Sequence, residues 1–161
     1  MGEELLSEAI KALELRDIYL HQSSLLRDDF FDSNTCLEEQ IVQQSKLKVD
    51  GEILEPNSEN GEPILLRAKI QYGVRLATLP NTENEKILSE ITADFVVIYV
   101  MKNPVSDDSL SEFLQFNAVH NSWSFWREYV FTTARKANLP VPNIPFFHGK
   151  SKALKIEKVN D

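Results

Sequence analysis

The alternation of apolar and polar residues from Leu66 to Leu76 constrains the fold more than any other feature of this sequence. Every second residue of the segment is apolar, and polar residues or glycine stand between them. Successive side chains of a β-strand point to opposite faces, so this period of two predicts a strand with one buried and one solvated face. The alternation is the cleanest in the chain, and we expect it to form a central strand.

Three other segments carry the same period less regularly. Residues 45–53 alternate well, residues 15–24 alternate loosely, and the odd-numbered residues from 87 to 99 are mostly apolar. Turn-forming residues at 56–63 separate the segment 45–53 from 66–76, and those at 80–85 separate 66–76 from 87–99. The sequence therefore predicts four strands, the last three joined as antiparallel neighbours.

The far half of the fourth predicted strand is apolar on both faces. Val96, Ile98 and Val100 occupy positions that a half-solvated strand would fill with polar residues. A sheet face of this kind must be covered, either by a second copy of the chain or by the C-terminal segment.

Two further segments have helical periodicity. Residues 3–13 collect their apolar side chains on one stripe, which predicts a short amphipathic helix. Ser109 and Glu112 have the spacing of a capping box at the start of a second, longer helix. We expect this helix to run from about 109 to 137, with an interruption at residues 121–122.

The C-terminal part of the sequence changes character twice. Residues 139–147 include three prolines, which favour an extended, polyproline-like backbone and end the helix, and residues 150–161 hold four lysines.

A chain of 161 residues, 42% of them hydrophobic, can bury one ordinary core. The prediction is one α+β domain over residues 1–148, consisting of a short helix, a four-stranded antiparallel sheet and a long broken helix. A basic tail follows at 149–161.

Charge and composition exclude several classes of function. The net charge of -8 opposes binding to nucleic acid or to anionic membranes. The longest apolar run, residues 95–101, is far shorter than the ~20 residues of a membrane-spanning helix. Residues 1–14 contain four glutamates, unlike a signal peptide, and the single Cys36 fits a reducing compartment. We expect a cytoplasmic protein.

No motif in the sequence predicts catalysis. His21, His120 and His148 are not spaced as metal ligands, and the five glycines form neither a nucleophile elbow nor a phosphate-binding loop. We therefore expect no cofactor and no enzymatic activity. Asp94, beside the apolar run, could be a general base, but an acid on the solvated face of the strand is the simpler interpretation.

Aromatic residues give a stronger indication of function. Many lie in predicted loop and helix segments rather than in strands, including Phe30, Phe31, Phe113 and Phe116. Rings provide large apolar contact areas with little loss of side-chain entropy. Some of them could line an exposed groove, and others could belong to a core between helix and sheet.

Five motifs resemble the SecB family of export chaperones. The most distinctive is the aromatic segment from Trp123 to Val130, followed by the proline run from Leu139 to Pro145. Upstream, residues 15–19, 88–91 and 93–98 resemble the family's first and fourth strands in the same order. Together the motifs span most of residues 13–147.

The resemblance implies a homotetramer that holds unfolded polypeptide in long apolar grooves without ATP or metal. The clients would be preproteins or an antitoxin, and the interface between subunits would include Val96, Ile98 and Val100. A groove made from the crossover loop, the second strand and the helix would be lined by Phe30, Phe31, Leu37, Ile41, Phe113, Phe116 and Trp123.

Departures from the family concern partners. Leu88 and Glu90 match two positions at which the family binds the motor protein SecA, but Gln22 and Leu26 replace acidic residues of that surface. Ser124 replaces a proline of the aromatic segment. The N-terminal helix resembles that of relatives that guard an antitoxin in toxin–antitoxin pairs, so the sequence leaves the client open.

A different class of function also fits part of the pattern. A helix followed by a curved antiparallel sheet suits a cystatin-like or cone-shaped small-molecule pocket, or a hydrolase with Asp94 as base. Those folds place the helix before the sheet, so the long C-terminal helix favours the chaperone interpretation.

Overall fold

The computed structural model describes residues 2–56, 59 and 61–146, so the predicted basic tail at 149–161 lies outside the described residues. The elements follow one another in chain order as α1 (Gly2–Ala12), β1 (Leu13–Arg27), β2 (Ile41–Leu54), β3 (Ile64–Thr78), β4 (Lys86–Met101), α2 (Asp107–Phe113), a π-helical segment (Leu114–Ala118) and α3 (Val119–Lys136). The four strands are those that the sequence predicts, each longer than its pattern.

The strands form one antiparallel sheet in the order β1-β4-β3-β2. Two hairpins join β2 to β3 and β3 to β4, and the crossover loop, residues 28–40, carries the chain from β1 to the opposite edge. The strand with the cleanest alternation, β3, is central as predicted. In its middle Ile70 lies between Val49 of β2 and Phe95 of β4.

The two faces of the sheet differ as the alternation predicts. The face that carries Ile70, Phe95 and Val97 is fully buried at these residues and packs against the helices, and we call it the helix face. The opposite face, which we call the open face, presents half-buried charged residues such as Lys69 and Asp94.

The C-terminal helix begins one turn before the predicted capping box. Its N-cap is Ser106, whose side-chain oxygen accepts a hydrogen bond from Ser109 N. Ser109 lies within the helix, where its hydroxyl donates to Glu8 of α1. The prediction of Ser109 as the cap was wrong, because Ser106 caps the helix and the Ser109 hydroxyl is bonded to α1 instead.

The helix is interrupted, but not at the predicted residues 121–122. Ser122 is fully buried and donates to Ala118 O at 2.8 Å, so it continues the helix instead of capping a new one. The irregularity lies upstream, in the π-helical segment, where Leu114 rests on the β2 backbone at Gly51. A Cβ at Gly51 would overlap the Leu114 side chain.

None of the helices in the described part of the chain is long and apolar enough to cross a membrane.

Candidate functional site

The structure separates the seven residues predicted for a groove into three groups. Phe31 and Phe113 are 2% and 1% exposed and belong to the core. Leu37, Phe116 and Trp123 are half-buried, whereas Phe30 is 90% and Ile41 38% exposed. Phe113 meets the Tyr99 ring edge-on, with centroids 4.7 Å apart. The core between helix and sheet therefore uses part of the predicted set.

The crossover loop is packed down rather than exposed along its length. The Arg27 guanidinium donates to the carbonyls of Phe31 and Ala137, which joins the loop to the end of α3. Ser33 adds a second connection, because its N–H donates to Asn138 O at 2.9 Å. The prediction of Phe31 as a groove residue was wrong, because these bonds hold the loop against the end of α3 and the Phe31 ring lies in the core.

Phe30 remains at the surface because the loop turns sharply beside it. Phe30 N donates to Asp28 Oδ1 at 3.0 Å, and Lys86 Nζ lies 3.3 Å from Asp28 Oδ2. The bond from the Phe30 amide and the Lys86 ammonium lower the pKa of Asp28. The exposed ring thus stands on an anchored turn.

The proline strap, Leu139–Phe146, lies between the helix face of β2 and α3, and we call the space that it occupies the trough. The strap is joined to both walls by side-chain donors on its carbonyls: Gln43 Nε2 to Asn143 O, Arg127 Nε to Ile144 O, and Trp123 Nε1 to Pro145 O, each at 2.8 Å. The helix ends before the strap, as the prolines predict, and of the predicted groove residues Trp123 contacts the strap directly.

Packing of rings fixes the α3 wall of the trough. Trp126 stacks on Tyr72 with centroids 5.1 Å apart and an interplanar angle of 10°, and Trp123 meets the same ring edge-on. The Tyr72 hydroxyl pairs with Ser122 Oγ at 2.7 Å. Burial raises the pKa of Tyr72 well above its ordinary value, which keeps this contact neutral.

A second apolar surface was missed by sequence reasoning. Leu15, Leu20 and Leu25 lie exposed on the helix face of β1, where α3 does not cover the sheet, and we call them the β1 stripe. The exposed ring of Phe125 on α3 continues it, tilted against Phe95 at 6.2 Å. The loose alternation of residues 15–24 predicts the strand, but only the position of α3 reveals that the leucines on its helix face are exposed.

The residues predicted for the subunit interface lie on the open face. Val96 is fully buried within the protomer, between Tyr19 of β1 and Lys69 of β3 in the sheet register. Ile98 and Val100 are half-buried. Within a single chain, neighbouring strands therefore account for part of the doubly apolar pattern.

The two residues matched to the SecA surface differ in their exposure to solvent. Leu88 is 1% exposed and belongs to the core, and its carbonyl accepts a hydrogen bond from Asp28 N at 2.9 Å. It cannot be presented to a partner, so its assignment to a docking surface was wrong. Glu90 lies half-buried on the open face, opposite Arg75 and the exposed Leu26.

Asp94, the acid that the sequence singles out on the open face, is engaged in an ion pair. Asp94 lies 3.9 Å from Lys69 Nζ and accepts a hydrogen bond from Gln71 at 3.4 Å, as expected of an acid on a solvated strand face. Across the described residues, no three His, Cys, Asp or Glu side chains are grouped as a metal site.

The sequence matches no protein-family profile and no curated protein. The structure resembles the SecB-like chaperone Rv1957 of Mycobacterium tuberculosis, solved in complex with a ChAD peptide from the HigA1 antitoxin Rv1956. The TM-score is 0.68 at 10% sequence identity, over 90% of this chain and 97% of that chain. The structure has the predicted architecture: a single four-stranded sheet, an N-terminal helix and a long C-terminal helix. The chain therefore has the SecB-like chaperone fold.

Proposed function

We propose that this protein is a SecB-family chaperone that binds unfolded polypeptide without ATP, as a binding protein and not an enzyme. The observation that carries the proposal is the trough between β2 and α3, in which a non-helical segment of the chain is held by its backbone carbonyls. The SecB-like fold and the motifs from Trp123 to Pro145 support it. The single Cys36, exposed in the crossover loop, is compatible with a reducing cytoplasm.

Exposed apolar side chains supply the attraction for an unfolded chain. Phe30 is exposed in the crossover loop, Ile41 at the start of β2 and Phe146 at the end of the strap. Each removes apolar area from water when a client covers it, at roughly 25 cal/mol per Å². Several weak contacts along one long client add up, so affinity increases with client length. Folded proteins, whose apolar residues are already buried, are rejected.

The test of this proposal is suppression of aggregation when a chemically denatured protein is diluted into buffer without nucleotide. Phe30→Ser combined with Ile41→Ser should reduce protection several-fold. The matched control is Leu26→Ser, which removes from the open face an apolar side chain whose exposure, 62%, lies between those of Phe30 and Ile41. If the parent chain never protects, the small-molecule pocket becomes the better interpretation.

We infer that the client is an antitoxin rather than an exported preprotein. The related chaperone is bound to an antitoxin peptide. Of the four positions matched to the SecA surface, only Glu90 offers a charge at the surface, because Leu88 is buried and the exposed residues Gln22 and Leu26 are uncharged. Charges at the rim of an interface mainly set the association rate and the register.

Titration of SecA against the parent and against a Gln22→Asp, Leu26→Glu variant tests this preference. The parent should bind weakly, and the variant should bind more tightly in a salt-sensitive manner. Tight, salt-sensitive binding by the parent would favour preproteins as clients.

A further inference from the structure

The hydrogen bonds that join the proline strap to β2 and α3 involve its backbone and not the identity of its residues. Three consecutive carbonyls, at Asn143, Ile144 and Pro145, are bonded by three side-chain donors from two different elements. A carbonyl oxygen is the same in every residue, so these donors would accept any extended segment in the same position. We call Gln43, Trp123 and Arg127 the carbonyl track.

Gln43 recognises both polar groups of one strap residue. Its amide nitrogen donates to Asn143 O at 2.8 Å, and its amide oxygen accepts from Asn143 N at 2.9 Å. A neighbouring β-strand would satisfy an extended residue in the same reciprocal way. The strap offers few further N–H groups because Pro140, Pro142 and Pro145 have none. An ordinary client segment has an N–H at almost every residue and can form more bonds than the strap.

The strap is anchored at one end and loosely held at the other. Leu139 is buried, and its N–H donates to Ala134 O at 2.9 Å. Beyond it, Val141 and Phe146 are exposed, and a depression of about 390 Å³ lies between the strap and α3 beside Phe131. The bonds of Gln43 and Trp123 to the strap are also exposed, where water competes for donors and acceptors. The segment after Pro142 can therefore leave the trough at the cost of these bonds and of the contact of the half-buried Ile144 with the core.

We propose that the carbonyl track is the backbone-recognition site for unfolded clients, and that strap residues 143–146 occupy it until a client displaces them. The inference rests on the proposed chaperone function and specifies how that function tolerates many sequences. The strap acts as a built-in competitor, because the affinity for a client is reduced by the fraction of protein whose track is already filled. Segments too short or too polar to replace the Ile144 and Phe146 contacts do not bind.

Competition predicts an unusual pattern among variants. Ile144→Ser with Phe146→Ser removes the strap's apolar contact with the core and its ring under the Arg127 guanidinium, 4.0 Å from the ring centroid. This strap variant should bind reduced, carboxymethylated α-lactalbumin about fivefold more tightly than the parent, measured by fluorescence anisotropy without nucleotide. Val141→Ser, also in the strap but without a hydrogen bond to the track, is the matched control and should leave Kd unchanged.

The effect of Gln43→Ala should depend on the background. In the parent, client and strap lose the same pair of bonds, so the two losses offset and Kd should shift less than about twofold. In the strap variant only the client loses them, so Kd should rise about fivefold. A strap that is merely structural would give the same factor in both backgrounds.

Hydrogen exchange on the unmodified chain tests the displacement without any substitution. Saturating α-lactalbumin should speed exchange of the Asn143 amide, which donates to Gln43 Oε1, while leaving the amides of α3 protected. If the parent binds the probe but the strap variant has the same Kd and exchange of the Asn143 amide is unchanged, the strap proposal is wrong and the chaperone proposal stands. If neither protein binds, both fail. Binding by the strap variant alone supports competition.

Discussion

Phe30 and Phe31 are adjacent in the sequence but lie in opposite environments. Phe30 is almost fully exposed on its anchored turn, whereas Phe31 is buried beneath the carbonyl contacts of Arg27. Both are phenylalanines with nearly the same neighbours in the sequence, so no periodicity could predict which ring is buried and which is exposed. Only the bonds of Arg27 to the end of α3, more than a hundred residues away in sequence, determine which ring turns inward.

Phe31→Ala should destabilise the protein by about 3–5 kcal/mol, because it leaves a cavity in the core. Phe30→Ala should change the free energy of unfolding by less than about 0.5 kcal/mol, because its ring is in water. Urea unfolding of the two variants measures the difference. Equal destabilisation would contradict the assignment of Phe31 to the core. As long as both variants fold, only Phe30→Ala should weaken client binding.

Two buried tyrosines make stability depend on alkaline pH. Burial raises the pKa of Tyr99 to about 12, opposed by the hydrogen bond from Asn121, and raises that of Tyr72 further. The folded state therefore retains phenolic protons that the unfolded state loses near pH 10. This contribution is fully present below about pH 10 and is lost as the pH rises towards 12.

We expect the free energy of unfolding to fall steeply between pH 10 and pH 11.5 in urea titrations. Tyr99→Phe should cost about 1 kcal/mol at pH 8, because Asn121 Nδ2 loses its partner at 2.8 Å. The same variant should fall less steeply than the parent above pH 10. Parallel pH profiles of parent and variant would show that Tyr99 does not carry the effect.

The strands could be predicted from sequence better than the helix geometry. Alternation identified all four strands and the central position of β3, because a period of two follows directly from which face is buried. The break in the C-terminal helix could not be located in this way. Asn121 and Ser122 looked like an interruption, but Ser122 bonds back to Ala118 O inside the helix. The π-helical segment depends on a contact with another element, which local sequence does not encode.

That contact is made by Gly51 of β2, where the missing side chain lets Leu114 approach the strand. Gly51→Val should cost about 1–3 kcal/mol, since its side chain would occupy the space of Leu114. Gly51→Ala should cost less because the end of the Leu114 side chain can rotate away.

Leu114→Ala should partly rescue Gly51→Val, with a coupling energy of about 0.5–3 kcal/mol in a double-mutant cycle of urea midpoints. Additive costs would mean that the loss arises from the β2 backbone alone. The same cycle with Leu110→Ala, a buried leucine one turn earlier in α2, is the control and should be additive within about 0.5 kcal/mol.

At the scale of the whole molecule, β1 is the least protected element. It is a 15-residue edge strand, and almost all of its residues are exposed. Long apolar edges promote uncontrolled pairing, so proteins normally shorten, charge or cover them. Here the β1 stripe adds exposed leucines on the helix face next to Phe125. We expect a second copy of the chain, with the same stripe and the same open edge, to cover this surface.

The open face supplies a second, smaller apolar area around Ile98 and Val100. If each surface pairs with its own copy about a two-fold axis and the two axes cross at right angles, the result is a closed assembly of four in which every chain uses each surface once. This geometry agrees with the homotetramer that the SecB resemblance implies. A specific interface at either surface should bury at least about 1,000 Å².

Native mass spectrometry at micromolar concentration should therefore give a species four times the mass of the 18.4 kDa protomer. Leu20→Glu places a charge in the β1 stripe and Ile98→Asp places one on the open face, and each should reduce the assembly to dimers or monomers because a buried unpaired charge is costly. Leu79→Glu, in the exposed turn between β3 and β4, is the charge-matched control and should leave the mass unchanged. Dissociation by Leu20→Glu alone would assign the whole interface to β1 and exclude Val96, Ile98 and Val100. A parent that shows only the 18.4 kDa species would contradict assembly through either surface.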